Sequence, residues 1–153
     1  MMATITQRAF SKHARVRARR SAVQALYQWE MTHEPVAEVI AEFIHDRREL
    51  KKADVGYFTA VLEGATGRVA EIDAGLAPYL DRPLHEMDPV ERAILRIGMY
   101  ELLLHTEIPW RVVVNESVEL AKMFGAEQSY KFINGVLDRA ARSIRSQEIS
   151  RAS

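Results

Sequence analysis

The densest group of chemically active side chains in this sequence is a run of cations near the N-terminus. Residues 1–20 contain no carboxylate and six basic residues, which are Arg8, Lys12, Arg15, Arg17, Arg19 and Arg20. The chain has 21 basic and 21 acidic side chains in all, so the remaining residues carry fifteen and twenty-one. A basic head therefore precedes an acidic body. Guanidinium groups bind phosphate through paired hydrogen bonds and release counterions, so a polyanion is the expected partner.

Three interpretations of the arginine run stay open at this point: a nucleic-acid contact, a solvated flexible tail and a membrane-surface contact. The membrane is disfavoured because no face of bulky apolar side chains accompanies the arginines. At about 100° per helical residue, Arg15 and Arg19 share a face with Leu26, which must be buried. Buried unpaired guanidinium groups are costly, so we expect the arginine segment to project beyond the core or to stay partly disordered.

The other side chains that could carry chemistry do not form a catalytic or metal site by their spacing. The five histidines are scattered without metal-ligand spacing, at His13, His33, His45, His85 and His105. Glu116 and Glu119 share a helix face with Lys122, which favours dipole and ion-pair roles, and Asn115 is a candidate cap. The sequence has no cysteine and no phosphate-binding glycine loop. We therefore expect no catalytic residue, metal or cofactor.

Apolar residues at helical spacing run through the whole chain and define the elements that position these side chains. The expected helices cover about 12–31, a segment opened by Glu34 and Pro35, a segment from Asp54 to Pro78, about 88–104, a segment from Pro109 to Gly125, and about 127–145. Asp88 is the expected N-cap of the fourth helix, with Pro89 at its first position and Glu91 as reciprocal partner in a capping box. That helix is apolar around much of its circumference, so it is expected at the centre of a bundle.

The fold class that follows is all-α, with six to seven helices in two small bundles packed into one domain. The break at 81–87 separates expected subdomains of about 15–80 and 84–145 within a helical domain of 15–145. Residues 1–14 are expected to form a basic flexible arm, and residues 146–153 a C-terminal tail. No apolar stretch reaches the length of a membrane span or resembles a signal peptide, so a cytoplasmic protein is expected.

Four segments form a pattern that is more specific than helical spacing. They are residues 17–29 (RARRSAVQALYQW), 90–102 (VERAILRIGMYEL), 113–125 (VVNESVELAKMFG) and 129–138 (SYKFINGVLD). In this order, and across residues 17–138, they resemble the NusB family. The resemblance implies two perpendicular three-helix bundles and a protein that catalyses no reaction.

The same resemblance implies an RNA-binding transcription antitermination factor, which suppresses premature termination as in ribosomal RNA operons. The implied partners are single-stranded boxA leader RNA, the ribosomal protein NusE, and RNA polymerase with NusA and NusG. The alternative is an RNA-binding accessory domain related to RNA cytosine methyltransferases, whose amino-terminal domain resembles NusB. A purely protein-binding scaffold is a third interpretation.

Residue roles also come from the resemblance. RNA phosphate contacts are implied for Arg15, Arg17, Arg19 and Arg20. Positions near the RNA surface, where rings can stack on unpaired bases, are implied for Tyr27, Tyr79, Lys131 and Phe132. For Tyr27 and Phe132 the competing role is core packing. Glu91 matches a position on the NusE-facing side, which suits an acidic body meeting a basic ribosomal protein. The residues that depart from the family's usual pattern are Val16, Arg20 and Gln128.

Overall fold

The computed structural model describes the backbone of residues 2–46 and 48–152 and the side chains of residues 12–46 and 50–152. Across these residues the chain forms α-helices and 3-10 turns and no β-strand, which confirms the all-α prediction. The helices are α1 (Met2–Thr32), α2 (Val36–Asp46), α3 (Val55–Gly67), α4 (Val69–Leu76), α5 (Pro89–Leu104), α6 (Trp110–Phe124), α7 (Ser129–Ile144) and α8 (Ser146–Ala152). The 3-10 turns are Arg48–Lys52, Ala77–Tyr79 and Leu84–Glu86.

The chain divides into two compact units, one ending at Thr66 and the other beginning at Gly67. The first unit contains α1, α2 and almost all of α3, and the second contains α4 to α8. This division falls earlier than the break from which the two subdomains were predicted. Residues 81–87 lie inside the second unit, between the turn Ala77–Tyr79 and the start of α5.

The core of the first unit is built from small side chains on α1 and aromatic rings on α2 and α3. Ala18, Ala22 and Leu26 of α1 are buried, and the alanines let neighbouring elements approach the helix closely. Phe43 of α2 and Phe58 of α3 are also buried. Their ring centroids lie 6.0 Å apart with an interplanar angle of 27°. The buried alanines and Leu26 mark the side of α1 that faces the core.

The second unit is organised around α5, as its all-round apolar pattern predicted. Every residue from Arg92 to Leu102 is buried, and α4, α6 and α7 pack against this helix. Gly98 marks the closest helix approach, because a Cβ there would lie 2.7 Å from Leu137 Cδ1 and 2.9 Å from Ser117 Oγ. The absence of a side chain at Gly98 is therefore a packing requirement.

The start of α5 confirms the predicted N-cap but not its predicted reciprocal partner. Asp88 Oδ1 accepts hydrogen bonds from the backbone N–H groups of Val90 at 2.8 Å and Glu91 at 3.3 Å, and Pro89 is the first helical residue. The Glu91 carboxylate accepts a hydrogen bond from Ser129 Oγ at 2.9 Å, so its contact is with α7.

Four further expectations about helix ends are corrected by the structure. α1 begins at Met2, so the segment predicted as a flexible arm is helical over its described residues. The helix predicted from Asp54 to Pro78 is interrupted at Arg68, whose φ of −121° and ψ of 26° leave the helical region. Asn115 lies within α6 and does not cap it. Residues 146–152 form α8, where only a tail was expected.

α8 is helical because tertiary contacts hold its beginning. Arg145, between α7 and α8, is 5% exposed and donates hydrogen bonds to four backbone carbonyls, those of Glu101, Leu102, His105 and Ile108. Its guanidinium also contacts Glu148 Oε1 at 2.6 Å, and Glu148 Oε2 accepts the Trp110 N–H at 3.0 Å. Burial alone would raise the pKa of Glu148, but the Trp110 N–H and the Arg145 cation together hold this pKa below its ordinary value of 4.5.

Candidate nucleic-acid interface

α1 carries its small apolar side chains and several of its cations on different sides. Ala14, Ala18 and the other core residues of this helix define the buried side. At about 100° per residue, Arg17 and Arg20 point away from that side, and Tyr27 lies two turns beyond Arg20. We call the side of α1 that carries Arg17, Arg20 and Tyr27 the open face. Tyr27 is 40% exposed, so core packing, the competing role considered for it, is wrong.

Arg15 lies at the edge of the buried side and is partly engaged by the protein itself. Its Nε is 3.8 Å from Oδ2 of Asp54, and its guanidinium carbon is 4.3 Å from the ring centroid of Tyr57. Asp54 also begins α3, as predicted, because its Oδ1 accepts the Tyr57 N–H at 3.0 Å. The Arg15 side chain is 39% exposed, and an ion pair this exposed restrains it only weakly.

Arg19 corrects the expectation that the arginine segment projects beyond the core. It is 5% exposed, and its guanidinium carbon lies 5.6 Å from the Tyr57 ring centroid. The aliphatic part of an arginine packs as an apolar side chain, and an aromatic face attracts the cation, so burial here does not require projection from the core. The shared face of Arg19 and Leu26 was predicted; the aromatic ring that accommodates the cation was not.

The guanidinium groups of Arg17 and Arg20 remain accessible. Among the side chains that the structure describes, neither has a carboxylate within salt-bridge distance, and both are half-buried. The Arg20 backbone carbonyl lies 3.5 Å from Gln24 Nε2, a contact that leaves the cation untouched. Two cations one helical turn apart on an accessible face are suited to neighbouring phosphates. The side chain of Arg8, one of the six basic residues of the N-terminal run, lies outside the described residues.

In the second unit, Phe132 lies near a cation that the sequence did not single out. The Arg82 guanidinium carbon is 5.4 Å from the Phe132 ring centroid. The ring is half-buried, and Lys131 beside it is exposed. A partly open ring with a cation beside it can stack on an unpaired base while the cation meets a neighbouring phosphate. Arg82 could have been suggested by its position three residues after Tyr79.

Tyr79 ends the turn Ala77–Tyr79, and its carbonyl is tied to α7. The carbonyl oxygen accepts a hydrogen bond from Arg139 Nη2 at 2.9 Å, while Arg139 Nε donates to the Gly135 carbonyl at 3.1 Å. Arg139 was also missed by sequence reasoning, although it lies seven residues after Phe132 and hence on the same helix face. A surface hollow of about 230 Å³ adjoins this segment, lined by Ala77 and residues 80–84.

The predicted site residues therefore fall into one group in each unit. The first unit holds Arg15, Arg17, Arg19, Arg20 and Tyr27; the second holds Tyr79, Glu91, Lys131 and Phe132. Within the first group, Arg17, Arg20 and Tyr27 share the open face, while Arg15 and Arg19 lie against Tyr57. Within the second, two arginines connect the Tyr79 segment with α7: Arg139 of α7 donates to the Tyr79 carbonyl, and Arg82, three residues after Tyr79, lies beside the Phe132 ring.

One cluster in the second unit has the residue types of a proton relay. His105 Nε2 lies 2.9 Å from the Tyr100 hydroxyl, and His105 Nδ1 lies 2.7 Å from Glu107 Oε1. Burial, and then the charge of Glu101, raise the pKa of Tyr100 above 10.0; Arg68 opposes this increase, and Glu107 adds a lesser one. Tyr100 is also only 6% exposed, so its hydroxyl stays protonated and out of reach of a substrate. The arrangement closes the C-terminal end of α5.

Neither a metal cluster nor a membrane-spanning helix occurs among the described residues. Among the described residues, no three His, Asp or Glu side chains come together in a way that could hold a metal ion. In the same part of the chain, no helix combines the length and apolar character that crossing a bilayer requires.

Comparison with known proteins identifies the family. The model of the NusB family matches residues 16–142, which is most of the chain and includes the whole open face of α1. The chain belongs to the NusB family. This result confirms the resemblance carried by the four sequence segments, and with it the all-helical fold that the resemblance implied.

Curated relatives named transcription antitermination protein NusB match over most of their own length. The NusB of Nitrosococcus oceani is 48% identical over 134 residues, which are 88% of this chain and 89% of that protein. The NusB of Psychromonas ingrahamii is 48% identical over 134 residues, covering 88% of this chain and 92% of that protein. The likeness therefore extends across both units.

Solved NusB structures have the same fold. T. maritima NusB superposes with a TM-score of 0.73 at 33% identity, covering 83% of this chain and 90% of that one. A chain from the crystal structure of antitermination factors NusB and NusE in complex with double-stranded RNA gives a TM-score of 0.72 at 28% identity, covering 84% of this chain and 96% of that one. The roles of individual residues in this NusB-family chain, in binding RNA or NusE, stay predictions.

Proposed function

We propose that this NusB-family protein is an RNA-binding transcription antitermination factor. It binds boxA leader RNA together with NusE and suppresses premature termination, as in ribosomal RNA operons, within an assembly of RNA polymerase, NusA and NusG. Relatives 48% identical over 88% of the chain carry the antitermination name. The structural observation that carries the proposal is the open face of α1, where Arg17 and Arg20 have no carboxylate partner among the described side chains.

The chemistry of this face fits RNA through charge and through stacking. Arg17 and Arg20 offer planar donors to phosphate oxygens, and neither must first break an internal ion pair. Tyr27 offers a partly open ring on the same face. Arg15 adds a third cation once its exposed contact with Asp54 yields to a phosphate. The face thus contains the two elements that single-stranded nucleic-acid sites combine.

The decisive experiment compares Arg17→Ala/Arg20→Ala with a charge-matched control, Lys51→Ala/Lys52→Ala, in binding to single-stranded boxA RNA. Fluorescence anisotropy at several salt concentrations gives both affinity and its salt dependence. For single strands the slope of log K against log salt changes by roughly 0.7 per phosphate contact, so losing two contacts lowers its magnitude by about 1.4. The control keeps the wild-type slope, because Lys51 and Lys52 are exposed residues of a different element.

Equal slopes for the two double variants would contradict a specific role of the open face. Circular dichroism should show unchanged helicity in both, because none of the four side chains belongs to the core. Arg19 is unsuitable for this test, since its burial against Tyr57 means that truncation would disturb the core as well as any RNA contact.

We propose that NusE binds in the region of Glu91, at the start of α5, because the resemblance implies a NusE-facing position there. Glu91→Gln removes the negative charge but keeps an oxygen that can accept the hydrogen bond from Ser129 Oγ. We expect weaker NusE binding with unchanged binding of RNA alone, measured by calorimetry and anisotropy respectively. Unaltered NusE affinity in Glu91→Gln would remove Glu91 from the interface.

The protein acts by binding and catalyses no reaction, and as a factor for nascent RNA it works in the cytoplasm. The closed relay at Tyr100 supports this view, because its hydroxyl is buried and keeps its proton. The alternative is an accessory domain of an RNA cytosine methyltransferase. A thermal-shift titration with S-adenosylmethionine separates the two: binding raises the melting temperature only if the protein takes up that cofactor.

A further inference from the structure

A surface hollow of about 620 Å³ lies at the C-terminal end of α7. It is lined by residues 106, 107 and 109 of the connection between α5 and α6, and by residues 144–148 and 151 at the end of α7 and in α8. We call it the α8 hollow. Its volume is in the range of pockets that bind ligands, and all of its lining residues belong to the second unit.

The α8 hollow lies at the other end of the second unit from Glu91. α5 and α7 begin near each other, because Ser129 Oγ at the start of α7 donates to the Glu91 carboxylate at 2.9 Å. They also end near each other, because Arg145, just after α7, donates to the Leu102 carbonyl at 2.8 Å. α5 has 16 residues and is therefore about 24 Å long. A molecule in the hollow would not compete for the surface around Glu91.

The inner wall of the α8 hollow is held in place before any ligand binds. All five N–H groups of the Arg145 guanidinium are engaged, four by backbone carbonyls and one by Glu148 Oε1. Glu148 Oε2 accepts the Trp110 N–H at 3.0 Å, and Glu107 Oε1 lies 2.7 Å from His105 Nδ1. A ligand therefore does not have to order these groups, which lowers the cost of binding.

Exposed cations lie at the same end of the unit. The guanidinium carbons of Arg111 and Arg142 are 4.8 Å and 5.8 Å from the Trp110 ring centroid, and Arg151 lines the hollow itself. Arg142 pairs with Asp138 at 2.9 Å. Among the described side chains, Arg111 and Arg151 have no carboxylate within salt-bridge distance. These two cations can pair with the carboxylates of another molecule.

The mixture of charges around the hollow favours an acidic peptide over a nucleic acid. The carboxylates of Glu107 and Glu148 line the hollow and would repel a backbone that carries a phosphate at every nucleotide. Peptide N–H groups can instead donate to these carboxylates, and an apolar peptide side chain can contact Ile144. Trp110 is only 7% exposed, so its ring offers no stacking face to an unpaired base.

We propose that the α8 hollow docks an acidic peptide segment of a partner protein, in which carboxylate side chains flank an apolar residue. The apolar residue enters the hollow against Ile144, and the flanking carboxylates pair with Arg111 and Arg151. This inference goes beyond the proposed function, because it adds an interaction surface that neither RNA nor NusE requires. It also predicts that the peptide and boxA RNA bind to one molecule of the protein at the same time.

The test measures fluorescence anisotropy of a labelled hexapeptide, Glu-Glu-Leu-Glu-Glu-Leu, with the full chain. The wild type should bind this peptide and should not bind its charge-reversed form, in which lysine replaces glutamate. Arg111→Ala/Arg151→Ala should bind the acidic peptide about fivefold more weakly, the order expected for losing two exposed ion pairs. Lys51→Ala/Lys52→Ala removes the same charge from exposed residues of the first unit and should bind as the wild type does.

A second variant, Gln147→Trp, tests the hollow apart from its charges. Gln147 is exposed and lines the hollow, so a tryptophan there fills part of the space without changing the net charge. We expect weaker peptide binding in Gln147→Trp, by at least the same fivefold factor, with helicity unchanged by circular dichroism. The binding of boxA RNA should be unchanged in both variants.

Four results overturn the proposal. The first is no binding of the acidic peptide by the wild type at about 1 mM, the weak end of specific affinities. The second is wild-type peptide affinity in Gln147→Trp. The third is weaker boxA RNA binding in Arg111→Ala/Arg151→Ala, since the cations would then contact nucleic acid. The fourth is a concentration-dependent dimer in analytical ultracentrifugation that Gln147→Trp abolishes, since a second copy of the chain would then occupy the hollow.

Discussion

Replacing Arg145 by methionine should destabilise the second unit more than the loss of any surface charge. The arginine is 5% exposed, and its guanidinium donates to three carbonyls near the C-terminal end of α5 and to the carbonyl of Ile108 in the connection to α6. The last carbonyls of a helix have no partner within the helix itself, so Arg145 supplies donors that α5 lacks. Methionine keeps an unbranched apolar side chain in place of the aliphatic part of the arginine, is shorter by the end of the guanidinium group, and removes every donor.

The expected cost follows from these contacts. A buried carbonyl left without a donor costs about 1–3 kcal/mol, and the four do not add fully because they share one side chain and can partly rehydrate. Glu148 also loses its cation, but its side chain is 35% exposed, so water can replace part of that contact and this loss adds about 1 kcal/mol or less. We therefore expect a loss of about 4 kcal/mol in the free energy of unfolding. For a protein of this size that corresponds to a melting temperature lower by roughly 8–16 °C.

Urea unfolding followed by circular dichroism measures this loss, with Arg142→Met as the matched control. Arg142 lies three residues earlier, its side chain is 61% exposed, and it pairs with Asp138 at 2.9 Å. Its replacement should cost less than about 1 kcal/mol. Arg145→Lys should fall between the two, because an ammonium keeps the charge but cannot span the same carbonyls. A loss below about 1 kcal/mol for Arg145→Met would refute the view that this arginine closes α5.

Three further outcomes are expected. The pKa of Glu148 is lowered in the folded state, so the charge of Glu148 stabilises the fold above pH 4.5, and this stabilisation is lost as the pH falls through the folded pKa. The difference in unfolding free energy between wild type and Glu148→Gln should therefore become smaller as the pH falls from 7 to 3. Urea unfolding at each pH measures that difference. Gly98→Ala should lower stability by about 1–3 kcal/mol, since its Cβ would meet Leu137 at 2.7 Å, and an unchanged melting temperature would contradict this packing. Asp88→Ala should cost about 1 kcal/mol through loss of the N-cap of α5, measured by thermal melting, whereas Asp88→Asn should cost far less.

The parts of the fold that sequence could predict are those fixed by local rules. Asp88 followed by Pro89 marks a helix start, and the apolar circumference of α5 marks a central helix; both depend on neighbours in the chain. The break at Arg68 was missed because apolar spacing continues across it. α8 was missed because its sequence is polar, and what holds it is the contact of Arg145 with carbonyls about forty residues earlier. No spacing rule indicates such a contact.

The candidate site likewise has a part that the sequence could predict and a part that depends on contacts between distant residues. The sequence showed where the arginines are and that some must share the buried side of α1. It could not show which of them would be engaged, because that depends on Tyr57 and Asp54, which come from a distant part of the chain. Arg82 and Arg139 had only a weak sequence signal, their spacing from Tyr79 and Phe132. Each is a single surface arginine in the sequence, and its relation to Phe132 or Tyr79 exists only after folding.

α1 carries both the buried side and the accessible cations Arg17 and Arg20. The angle around the helix axis between the buried side and these cations is therefore set by the number of residues that separate them in the chain. Inserting or deleting one residue between Ala14 and Arg17 would turn everything before it by about 100° relative to Arg17. Exchanges of one residue for another in this stretch alter the strength of the surface charge, whereas changes in length alter its direction. Length variation should therefore be tolerated far less here than at the helix ends, even when the number of arginines stays the same.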